Sequence, residues 1–167
     1  EARFIPYHLK NTLESTGQWG AVRVLPRDTG ITDVRVRGRI VKSTGLELRL
    51  LIRVEDATGR VWGEVEFRRD VDPRAYEERA VGFDEPYQDL YNKIANSILK
   101  SREALSTNEI YRIREVSRLR FAAELVPAVY GDYLSTTRNG KLVIDKLPAD
   151  DDPMMARADL VRSRDNM

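Results

Sequence analysis

The chain has 167 residues, enough for one domain to bury a core without staples. Its 28 basic and 27 acidic residues nearly cancel, to a net charge of +1, which argues against a dedicated polyanion binder with a one-sided basic excess. Cysteine is absent, which excludes a disulfide framework, a thiol nucleophile and a cysteine-based metal site, and no apolar run approaches the ~20 residues of a membrane span.

In chain order, Phe4 to Thr16 predicts a helix. Ile5, Leu9 and Leu13 recur at steps of four, Pro6 suits a first turn, and Gly17 is placed to cap the end. Ala21 to Pro26 predicts a short strand. From Asp33 to Val71 the sequence alternates apolar and charged residues and predicts three strands joined by hairpins at "KSTG" and "DATG". The expected buried row is Val34, Val36, Gly38 and Ile40, then Leu46, Leu48, Leu50, Ile52 and Val54, then Val61, Gly63, Val65 and Phe67. Trp62 is expected to point outward with Glu64, Glu66 and Arg68. Asp72-Pro73 opens a short helix as cap and first-turn proline. Pro86 to Leu105 predicts a stronger helix with one apolar stripe of Tyr87, Leu90, Tyr91, Ile94, Ala95 and Ile98. Ser106 or Thr107, with Glu109, marks a capping box that starts another helix, ending near Pro127. Asn139-Gly140 predicts a turn into a strand at Leu142 to Ile144. The acidic run before Pro153 starts a last helix.

These elements predict an α+β fold with two layers, a mostly antiparallel sheet with helices on its apolar face. The expected boundaries are a two-layer domain over 1–105 and a mainly helical extension over 106–167.

No motif in the chain predicts chemistry. His8 is the only histidine, so neither a triad nor a zinc site has its second member; it reads as a partly exposed helix residue. Asp150, Asp151 and Asp152 lack the glycine turn and distal glutamate of a calcium loop and read as a capped helix start. Neither glycine-rich phosphate motif occurs. Glu64 and Glu66 could suggest a hydrolase, but outward carboxylates on one strand are ordinarily surface groups. The arginines at 35, 37, 39, 49, 53 and 68 alternate with glutamates and lack the stacking aromatics of an RNA-binding sheet, so ion-pair ladders on a solvated face are expected. No catalytic, cofactor-binding or metal residue is assigned, and the chain is not read as an enzyme.

The order of features from Leu9 to Ile98 resembles the amino-terminal domain of TolB and similar domains of curli-assembly and flagellar outer-membrane lipoproteins. The residues that carry this are "LKNTLESTGQWGAVRVLP", "DVRVRGRI", "LELRLLIRVEDATGRVW" and the closing helix "PYQDLYNKIANSI". They are patterns and turns, not catalytic signatures. The family's opening strand would lie upstream of Glu1, no β-propeller follows, and the tail from Ser106 has no counterpart. The resemblance implies a nonenzymatic periplasmic protein, an outer-membrane lipoprotein that docks other envelope proteins or itself. The balanced charge and the lack of motifs lead to the expectation of no nucleic acid and no cofactor, with membrane contact expected only through an anchor upstream of Glu1. The alternative is a cytoplasmic binding or regulatory protein of unknown ligand.

The last third mixes aromatics with Arg112, Arg114, Arg118 and Arg120, the composition of interface hot spots. Val126, Val129, Tyr130, Tyr133 and Leu134 are the expected partner-binding residues, because Pro127 and Gly131 would interrupt the helix and expose them. The competing expectation is that this segment covers its own domain.

Overall fold

A computed structural model describes residues 4–27, 30–71 and 85–165. The elements, in order, are α1 (Phe4–Ser15), β1 (Val34–Ser43), β2 (Glu47–Asp56), β3 (Val61–Asp70), α2 (Gln88–Glu103), α3 (Thr107–Leu125), α4 (Pro127–Tyr130), β4 (Leu134–Thr136), β5 (Leu142–Ile144) and α5 (Pro153–Asp165). The fold is α+β, with a three-stranded antiparallel sheet in the order β1-β2-β3 and a two-stranded sheet β4-β5. The helix expected at Asp72-Pro73 lies outside the described residues.

Two compact units divide the chain. The first holds residues 1–25, 36–54 and 63–104; the second holds 26–35, 55–62 and 105–167. The extension is therefore not a bare helical tail. It carries its own small sheet and its own core, joined by the loop at 26–35 and the β2–β3 hairpin tip.

In the first unit, α1 ends as its glycine dictates: Gly17 takes φ +63 and its N–H donates to Glu14 O at 3.0 Å. α1 packs on α2. Leu48, Leu50, Ile52 and Val54 of β2 are buried, as are Leu90, Tyr91, Ile94, Ala95 and Ile98 of α2. The outer strands behave differently. Ile40, Val61 and Val65 are exposed, as is Leu46 in the β1–β2 turn, so the expected buried row holds only on the central strand.

Extra residues in the edge strands contribute to this. Trp62 Nε1 donates to Asp56, whereas Glu64 pairs with Arg53, which points to the opposite face of β2. Residues two apart in a regular strand share a face. β3 thus carries one extra residue at Gly63, and Trp62 turns inward instead of outward. β1 does the same between Gly38 and Lys42. Its Gly38 faces the Ile52 side chain and Arg35 pairs with Glu55, while Lys42 pairs with Glu47. Bulges that bend an edge strand discourage pairing with another chain. The strand expected at 21–26 is also corrected. Val22 and Val24 alternate in burial with their neighbours, but the segment forms no ladder.

In the second unit, both hairpins use a three-residue loop with glycine in the left-handed region. Asp56 N–H donates to Arg60 O and Gly59 N–H to Asp56 O, with Gly59 at φ +82. Thr137 N–H donates to Lys141 O and Gly140 N–H to Thr137 O, with Gly140 at φ +74. The two loops touch: Leu142 N–H donates to Thr58 O at 2.8 Å. Helix α3 starts with the full capping box of Ser106 and Glu109. Leu119, Phe121, Ala122, Tyr130, Met155 and Ala158 form one core cluster, and Ala57, Ile113 and Val116 another.

Candidate functional site

Tyr130 is wholly buried, which corrects its expected place on an outer surface. Its hydroxyl donates to Asp152 Oδ2 at 2.9 Å, and its ring meets Tyr133 edge-on at 5.2 Å. Val126, Val129, Tyr133 and Leu134 are half-buried against the same cluster. Pro127 does interrupt the helix, but the next turn re-forms as α4 and folds Tyr130 inward. The segment thus covers its own unit. Asp152 caps α5, accepting from Met154 N–H at 2.9 Å and Met155 N–H at 3.1 Å. These bonds, the Met155 one first and then that from Tyr130, hold the Asp152 carboxyl below its ordinary range.

An open concavity of the second unit lies elsewhere. It is a cleft of about 490 Å³ between α3 and the chain leaving β5, lined by Tyr111, Arg112, Glu115, Ile144, Asp145, Lys146 and Leu147. Tyr111 and Leu147 stand at its edge, 67% and 65% exposed. Glu115 sits at its floor, only 8% exposed. That burial is sustained by Arg118, whose Nη1 donates to Glu115 Oε1 at 2.9 Å. The same guanidinium grips Asp159 of α5, with Nε at 2.9 Å and Nη2 at 2.8 Å from its oxygens. Asp159 first, then Glu115, raises the Arg118 pKa further above its ordinary value, against the opposing effect of burial. One cation thus serves two carboxylates, and the group keeps a net negative charge. At the rim, Lys146 is already paired with Asp132 and lies 5.9 Å from the Tyr133 ring.

The first unit has a smaller cleft of about 330 Å³, with Phe4, His8, Leu48, Glu85, Tyr87 and Tyr91 among its lining. Its polar groups are engaged with one another. His8 stacks on Tyr91 with centroids 5.6 Å apart, and its Nε2 lies 3.2 Å from Glu85 Oε2. The Tyr87 hydroxyl donates to Thr44 O at 2.9 Å. His8 therefore ties α1 to the start of α2.

The charged sheet face carries the expected ladders. Arg35 meets Glu55 at 2.7 Å, Arg53 meets Glu64 at 2.9 Å, and Glu47 bridges Lys42, Arg49 and Arg68. The Arg53–Glu64 pair is exposed and serves solubility more than stability, whereas Arg35–Glu55 and the Glu47 carboxylate are largely covered. Among the described residues no three metal-ligating side chains converge, and no helix is long and apolar enough to cross a membrane.

Fold and clefts together describe an α+β protein whose surface includes a groove with a nearly buried carboxylate and an ion-paired sheet face. Compared with protein-family models, curated proteins and solved structures, the chain finds no match.

Proposed function

We propose that the protein is a nonenzymatic docking component that binds another protein through the α3 cleft. The observation that carries this reading is the pairing of two strongly exposed apolar side chains, Tyr111 and Leu147, with the nearly buried carboxylate of Glu115. An exposed aromatic anchor beside apolar surface, with charged groups at the rim, is the composition interface patches favour. The setting we propose, on the resemblance to TolB-type domains, is the periplasm, with attachment to the outer membrane and partners among envelope proteins.

The test is site-specific photo-crosslinking in cells from the positions of Tyr111 and Leu147, with Glu64 on the sheet as control. A discrete adduct from the two cleft positions, its peptide identified by mass spectrometry, is expected. Crosslinks of equal yield from Glu64, or none from the cleft, would refute docking at this site. Fractionation of the same cells tests the compartment: recovery in the cytoplasm would favour the alternative of a cytoplasmic binding protein.

A further inference from the structure

We infer that the α3 cleft takes a lysine or arginine side chain from a partner segment, its cationic head on Glu115 and its stem against Tyr111, Ile144 and Leu147. This rests on the docking reading above and names the chemistry of the partner.

The argument is one of charge and depth. Arg118 divides its donors between Glu115 and Asp159, so the three groups carry a formal net charge of about −1 among themselves. Glu115 brings part of that charge to the cleft floor, where little solvent reaches it. Charges at the rim are of both signs: Arg112 and Lys146 against Asp145. They stand in solvent, and salt screens them. A desolvated floor group discriminates between ligands more strongly than exposed rim groups do. The remaining lining is apolar or aromatic, which suits the methylene stem of a long basic side chain. An acidic side chain of the same length would be repelled by Glu115, and a neutral one would leave Arg118 still shared between two carboxylates.

The full chain is titrated with three blocked five-residue peptides, identical but for a central arginine, citrulline or glutamate. Amide chemical shifts report the site and fluorescence anisotropy the affinity. The arginine peptide should shift Tyr111, Glu115, Ile144 and Leu147. It should bind at least about ten-fold more tightly than the citrulline peptide, the size of one charged hydrogen bond. Glu115→Gln should abolish that preference. Leu147→Ala, at an exposed rim position that folding does not need, should weaken the arginine and citrulline peptides alike. The arginine preference should also persist at high salt, whereas one set at the rim would fade. Citrulline or glutamate peptides that bind the cleft as well as arginine would overturn the inference while leaving docking intact. An arginine peptide that leaves the cleft residues unshifted would overturn it too, and photo-crosslinking then judges docking by itself.

Discussion

Asp56 offers the sharpest test of how the β2–β3 tip is held. It is 1% exposed, and its carboxylate accepts four bonds. Oδ1 takes Thr58 N–H at 2.9 Å, the Thr58 hydroxyl at 2.5 Å and Arg60 N–H at 3.3 Å; Oδ2 takes Trp62 Nε1 at 2.8 Å. Asp56→Ala strips all four. Arg60 is exposed and Thr58 half-buried, so water can replace some of the acceptors. One or two donors then stay unsatisfied, at about 1–3 kcal/mol each. Removing a buried carboxylate returns part of its desolvation. The net expectation is a loss of about 2–4 kcal/mol. Asp56→Asn keeps an oxygen for the turn but sets an amide against Trp62 Nε1. In a Trp62→Phe background that conflict vanishes. A double-mutant cycle by urea denaturation, at constant slope, should give a coupling of about 1.5–3 kcal/mol, typical of a bond to a charged group. A loss below ~0.5 kcal/mol for Asp56→Ala, the range of an ordinary surface change, would refute the reasoning.

Leu50→Ala removes a side chain 1% exposed on the central strand and should cost about 2–5 kcal/mol in the same assay; under ~1 would mean the sheet faces are reversed. Gly59→Ala should cost more than Gly140→Ala. Both take positive φ, worth about 1–2 kcal/mol of strain, but a Cβ at Gly59 would also lie 2.8 Å from the Gly140 carbonyl oxygen, whereas one at Gly140 meets open space. Equal losses would show that the two loops do not bear on each other. Glu109 is held at about 2 by the Ser106 N–H, the Ser106 hydroxyl and Arg60. Its folded value is depressed, so its stabilisation is complete above the ordinary 4.5 and lost as pH falls from there toward 2. Denaturation midpoints of Glu109→Gln and wild type should therefore differ above pH 4.5 and converge in acid; a constant gap would contradict this. Tyr130 is pushed up to about 12 by burial and then by Asp152. Its contribution is complete below 10 and lost as pH rises through about 12, so tyrosinate absorbance should show one phenol ionising last and with unfolding. A Tyr130→Phe variant that keeps this late step would assign it to another residue.

The helices were legible because their ends are written locally. Gly17, the Ser106–Glu109 box and Asp152 before Pro153 each satisfy backbone groups within a few residues. The strands were legible in period but not in register. Alternation names a face only while the ladder stays in step, and a single inserted residue exchanges the faces beyond it. Gly63 is such a residue, and it moved Trp62 from the expected outer row onto the core cluster of Ala57, Ile113 and Val116. A glycine inside a strand pattern is a known sign of a bulge, and here it was the available signal. β4 offered less, because Leu134-Ser135-Thr136 is too short to establish a period. Its pairing with β5, Leu134 opposite Ile144, is what defines it.

Which aromatic of the last third is covered was not legible, for a different reason. Aromatic and arginine content along 111–134 suggested an interface, but composition does not distinguish a surface from a covered one. On α3 the covering is fullest in the middle and falls away at both ends. Tyr111, Arg112 and Arg114 are exposed, whereas 115–122 are all buried or half-buried, Glu115, Ser117, Arg118 and Arg120 among them. Those four polar residues make the helix read as an exposed one. Three of them are admitted inside by a partner far along the chain: Ser117 donates to Ile31 O, Arg118 reaches Asp159, and Arg120 reaches Ala57 O. Glu115 is admitted by Arg118 in turn. A buried polar group is stable only when satisfied, so its place follows from partners that no local pattern reveals. The cleft opens where those partners run out, at the exposed end of α3, and the same arrangement that buries Glu115 leaves its charge incompletely matched. On the proposed docking reading, burial and binding have one origin: Arg118→Gln should weaken the packing of α5 on α3 and, by unmasking both carboxylates, strengthen the cleft's preference for a cation.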